Sequence, residues 1–183
     1  MIDQQHLIQV AVRIGLPHAE RQMNEERFWS FIEKAWEAVG GMKAERKKLT
    51  GKRISEDVLD ELADSSCGMV EALREELSNM TKEDLLAFDR ILERKLFDID
   101  RSEIQQQTDG SDDGFLYARG FIVAAGKDYY DAVNSKPATA KMDMKCEDIC
   151  YVSWHIYEER FGKMPDSGIS RESCSNTAGW PDL

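Results

Sequence analysis

Residues 108–130 read TDGSDDGFLYARGFIVAAGKDYY, with four aspartates, one arginine and five aromatic side chains in 23 residues. Ser111 or Asp112 is placed to cap a helix, and Asp113 falls in the first turn, where a carboxylate favours the positive end of the helix dipole. Asp112, Phe115, Arg119, Ile122 and Gly126 then recur at steps of three and four, which puts them on one helical face. Arg119 thereby shares a face with Phe115 and Ile122. It must reach solvent or find an acid, either Asp112 or one from a neighbouring helix, because an unpaired buried charge is costly. Gly120 and Gly126 leave room for another helix or a ligand. Two readings follow: a capped helix that buries one ion pair, or a site in which Arg119 grips an anionic group while Asp112 or Asp113 serves as base or ligand.

The same periodicity organises the chain on both sides. NEERFWSFIEKAWEAVGG, residues 24–41, offers Asn24 as cap and a stripe of Phe28, Phe31, Ile32, Ala35, Trp36 and Val39, ended by Gly40 and Gly41. A helix opening after Ser55 carries Val58, Leu59 and Leu62, then a break or kink at Gly68, then Met69, Val70, Leu73 and Leu77. Thr81 and Asp84 resemble a capping box ahead of Leu85, Phe88, Ile91, Leu92, Leu96 and Ile99. Cys146, Ile149, Ser153, Ile156, Tyr157 and Phe161 mark a last helix before Gly162. Residues 3–15 carry a shorter helical pattern, and no segment alternates as a strand. The expected fold is all-α, an irregular bundle of five or six helices. Residues 1–23 form an N-terminal helical arm, 24–163 a single domain, and 164–183 a flexible tail that only Trp180 could dock.

With 183 residues, 42% apolar and 32% charged, the chain suits one helical domain with charged outer faces. Its net charge of −11 repels phosphates and favours a basic partner. Neither a leader pattern nor a membrane-length apolar run stands out, which predicts a cytoplasmic chain, no membrane contact and reduced thiols.

Several chemistries fail on spacing. DGSDDG begins like a calcium loop, but Gly120 stands where the bidentate Glu belongs. No histidine has a Glu three residues before it, so a di-iron bundle is excluded. Cys146 and Cys150 share a face one turn apart, but His155 lies elsewhere around the helix, so no metal and no cofactor is expected. The glycine and Ser/Thr of a phosphate loop are missing around Gly51 and Lys52. No catalytic residue is assigned. Between Lys43 and Arg53, six basic residues (Lys43, Arg46, Lys47, Lys48, Lys52 and Arg53) face one acid, Glu45. This run reads as a solvated loop or as a dock for an acidic partner or nucleic acid.

FWSFIEKA at 28–35, LLAFDRILE at 85–93, SDDGFLYARGFIVAAGKDYYDAV at 111–133 and YVSWHIYEERFGK at 151–163 together resemble the DUF-4240 family, mostly bacterial proteins without an assigned function. The resemblance implies a helical fold and supplies no catalytic residues. It directs attention to Asp112, Asp113, Phe115, Arg119 and Lys127, with Phe28 and Trp29 as packing partners. The expected function is a non-enzymatic module that engages another macromolecule, for example a basic protein, through its acidic surface. The alternative is a small ligand-binding protein or enzyme with a pocket of Asp112, Asp113 and Arg119.

Overall fold

Asn24 opens the first helix as expected, its side chain accepting the Arg27 N–H at 2.8 Å. This helix, α1 (Glu25–Ala38), buries Phe28, Trp29, Ile32, Ala35 and Trp36. The computed structural model describes residues 22–108 and 111–181. The helical pattern read at residues 3–15 lies outside them. Next come α2 (Lys43–Lys48), α3 (Glu56–Ser78), α4 (Lys82–Asp98) and the one-turn α5 (Ser102–Gln105). They are followed by α6 (Asp112–Ala124), α7 (Lys127–Ser135) and α8 (Glu147–Phe161), with 3-10 turns at Pro137–Thr139 and Thr177–Gly179. Among the described residues there is no strand. The architecture is all-α, as expected, with α2 and α5 as short additions in stretches that carry too few residues to show a period.

Two glycines behave differently from their sequence reading. Gly68 does not break α3, which runs unbroken for 23 residues. A Cβ there would lie 3.2 Å from Val39 Cγ1, so the small residue serves a close crossing by the end of α1. Gly126 does end the face traced from Asp112. Its φ of +99° suits glycine, and it turns the chain from α6 into α7.

α6 is the central helix. Its residues 114–116 and 118–124 are all buried, and it packs against α3, α4, α7 and α8. Such all-round burial marks a core helix rather than an amphipathic surface one. Gly120 is where α8 crosses it. A Cβ at Gly120 would stand 2.2 Å from the Cys146 carbonyl oxygen and 2.7 Å from Cys150 Sγ.

In the C-terminal segment, expected as a tail, Met164, Arg171 and Trp180 are buried against the body. Trp180 is 8% exposed, meets Phe115 edge to face at 5.9 Å, and donates its indole N–H to Asp100 at 3.1 Å. The segment shows no hydrophobic period because polar groups attach it.

Replacing Gly120 by alanine is expected to destabilise the protein. Helix propensity would gain up to about 1 kcal/mol, but overpacking against an immovable backbone carbonyl costs about 1–3 kcal/mol or more. Urea unfolding checks the sign, and a more stable variant would contradict the crossing described.

Candidate functional site

Arg119 is completely buried and has no carboxylate within ion-pair distance among the described residues. Its Nη1 donates to the Leu96 carbonyl at 2.9 Å, and its Nη2 to the Arg171 carbonyl at 2.8 Å and Ser173 Oγ at 3.3 Å. The guanidinium lies over the Phe115 ring, 5.0 Å from its centre. Burial lowers its pKa, while the nearby Asp100 charge opposes that shift.

Leu96 sits in the last turn of α4, where carbonyls lack helical partners and carry the negative end of the dipole. Three elements meet these carbonyls. Tyr130 Oη of α7 donates to Lys95 O at 3.2 Å, Arg119 of α6 to Leu96 O, and Asn176 of the C-terminal segment to Phe97 O at 3.1 Å. The expected acid partner is therefore replaced by a helix end.

Asp112 and Asp113 stay exposed in the first turn of α6, and Ser111 is the cap, its hydroxyl accepting the Gly114 N–H at 3.1 Å. Asp112 contributes only its backbone carbonyl to this region, accepting from Ser173 Oγ at 2.7 Å. The side chains of Asp112 and Asp113 are thus exposed while that of Arg119 is fully buried. Lys127 is exposed and pairs with Asp131 one turn on, which raises its pKa. Phe28 packs on Phe88 at 4.7 Å between ring centres, and Trp29 on Tyr130 at 5.4 Å. Phe115 lies under Arg119 and Phe28 meets Trp29, whereas Asp112, Asp113 and Lys127 are exposed.

The basic run is divided too. Arg46 is buried, contrary to a solvated loop, and grips Glu33 with both Nη atoms at 2.8 and 2.7 Å. It also donates to the Ala125 carbonyl just past α6 and lies over the Trp36 ring. The hydrogen bonds from Arg46 to Glu33 hold the Glu33 carboxyl below its ordinary range. Lys48 pairs with Glu45 at 3.8 Å. Lys43, Lys47, Lys52 and Arg53 remain exposed and make no ion pair among the described residues.

Cys146 and Cys150 are buried thiols beside α6. Burial pushes the Cys146 thiol up to about 12 and raises Cys150 as well, so both stay protonated at neutral pH. Among the described residues, no three metal-ligating side chains gather in one place.

A family model described as "Protein of unknown function (DUF4240)" matches residues 23–159. The chain belongs to the DUF4240 family. No curated protein and no solved structure matches it significantly. The matched stretch of this DUF4240 chain contains Asp89, Asp100 and Arg119, whereas Arg171, Asn176 and Trp180 lie beyond its end.

Sequence reasoning missed the two fully buried carboxylates of α4 and its exit. Asp89 is fully buried, and its Oδ1 accepts from Arg171 Nη2 at 2.6 Å and Ser153 Oγ at 2.8 Å. Asp100, also fully buried, accepts the N–H groups of Cys174 and Asn176 and the Trp180 indole. One signal was present for Asp89, which stands four residues after Leu85 and three before Leu92, an acid on the apolar stripe. Arg171 had none, because its run has no period.

In this DUF4240 protein, Arg119→Met is expected to cost about 2–4 kcal/mol, because two buried carbonyls lose their donor. Asp112→Asn should stay within about 0.5 kcal/mol, as a surface change. Thermal unfolding of both variants tests this, and equal losses would restore an Asp112–Arg119 pair.

Proposed function

We propose that this protein is a non-enzymatic interaction module that engages a basic protein through the exposed face of α3. The observation that carries this reading is the charge on that helix. Its 23 residues hold eight carboxylates against Arg74 alone, a net −7 of the chain's −11. Glu71 and Glu76 have cationic partners in Arg74 and Lys34. Glu56, Asp57, Asp60, Glu61 and Asp64 are exposed and make no ion pair among the described residues.

Folding alone does not account for this array. Glu56 and Asp57 favour the positive helix end, but the dipole's help fades beyond the first turn. Asp57–Glu61 and Asp60–Asp64 are like-charge pairs one turn apart, each unfavourable by roughly 0.2–0.5 kcal/mol. A basic partner would reverse the sign of that cost and be steered towards the surface. A nucleic acid would meet repulsion here. No helix among the described residues is long and apolar enough to cross a membrane.

The test is retention of protein partners on immobilised wild type and on a variant carrying Asp57→Asn, Asp60→Asn, Glu61→Gln and Asp64→Asn. A specific basic partner is expected on wild type, released as salt rises and lost in the variant. The variant should be as stable as wild type or slightly more so. Equal retention by both proteins, or retention unaffected by salt, contradicts the reading.

A further inference from the structure

A cleft of about 270 Å³ opens between α4, α8 and the C-terminal segment. Its walls carry Asp89, Arg90 and Glu93 of α4, Tyr151 and Trp154 of α8, and Arg171 of the segment. Asp166 and Glu172 complete the charged lining, giving four acids against two arginines. Trp154 is one of two large apolar side chains that are exposed among the described residues, at 36%.

Asp89 supplies the observation that points to a ligand. Its Oδ1 is satisfied, but its Oδ2 is buried and has no hydrogen-bond partner. Arg90 Nη1 stands 3.7 Å from it, beyond hydrogen-bonding range. Arg90 is already engaged by Glu93 at 3.2 Å and by the Pro165 carbonyl. A carboxylate oxygen only accepts, so the missing group is a donor, and the excess of negative charge on the walls selects a cation over an anion.

We propose that this cleft binds an alkylguanidinium group. Asp89 and Glu93 lie one turn apart on α4 and share a face, so a planar fork can address both carboxylates. Arg171 already lies over the Tyr151 ring, with its guanidinium carbon 5.9 Å from the ring centre, and Trp154 offers a second aromatic face beside it. The volume suits one side-chain-sized group rather than a larger ligand. This site is separate from the α3 face and stands or falls without it.

The same chemistry arises in a free small molecule and in an arginine of another protein. The full chain is titrated with n-propylguanidinium, with the tripeptide acetyl-Gly-Arg-Gly-amide, and with n-propylurea as the neutral shape control. The Trp154 indole N–H is followed by NMR. A saturable shift with a dissociation constant of about 1 mM or tighter is expected for a guanidinium, with no response to the urea. Tighter binding of the peptide identifies a protein arginine as the source, and binding of n-propylguanidinium alone identifies a small molecule.

Asp89→Asn should abolish the response. Because Asp89 also holds Arg171, Glu93→Gln serves as the second variant and should weaken binding about ten-fold, the loss of one charge-assisted hydrogen bond. The proposal is overturned by the absence of a saturable response to either cation, by an equal response to the urea, or by unchanged affinity in Glu93→Gln.

Discussion

The buried C-terminal ends of α4 and α6 set the constraint on which the rest of the structure depends. A helix end leaves its last carbonyls without partners, and burying them without donors is costly. Water cannot supply those donors inside the body, so other parts of the chain do. Tyr130, Arg119 and Asn176 serve Lys95, Leu96 and Phe97 of α4. Trp36 and Arg46 serve Ala124 and Ala125 at the end of α6. These five donors come from five different segments, so satisfying two helix ends fixes the mutual placement of α1, α2, α6, α7 and the C-terminal segment. The arginines suit this task because the carbonyls are both acceptors and the negative pole of the helix dipole.

The C-terminal segment completes the arrangement by the reverse logic. Asp89 and Asp100 are fully buried acids that need donors, and the segment brings Arg171, two backbone N–H groups and the Trp180 indole. Arg119 in turn donates to the Arg171 carbonyl. Charges that would be expensive alone become mutually compensated, at the cost of requiring the segment to be present.

Helix positions were legible in the sequence because caps and apolar periods are local. Asn24, Thr81 and the start of α6 could be read from a few residues each. The partner of Arg119 was not legible, since a carbonyl at the end of another helix leaves no trace in residue type. Gly68 read as a break because its sequence context shows the missing side chain but not the Val39 side chain that occupies the space. Arg46 looked like one more cation in a basic loop, and only the fold reveals that it turns inward to Glu33. The C-terminal segment read as a tail because hydrogen bonds from backbone and polar side chains, not an apolar stripe, attach it. The watched signature residues were legible as the start and one face of a helix, because a cap and a three-four spacing are local.

This internal use of cations bears on the outer surface. Arg46, Arg119 and Arg171 are consumed inside the body, while the carboxylates at the start of α3 remain outside and unpaired among the described residues. Asp89, Glu93 and Asp100 are buried as well and balance those arginines, so it is the unpaired acids of α3 that make a basic partner the favoured reading. The central claim remains the capping of α4 by a buried guanidinium. It is tested most directly by NMR detection of scalar couplings across hydrogen bonds from the Arg119 Nη nitrogens. The account predicts correlations to the carbonyl carbons of Leu96 and Arg171, with Nη protons that exchange slowly. A single averaged Nη signal in rapid exchange with water, or a correlation to an aspartate carboxylate instead, would contradict it.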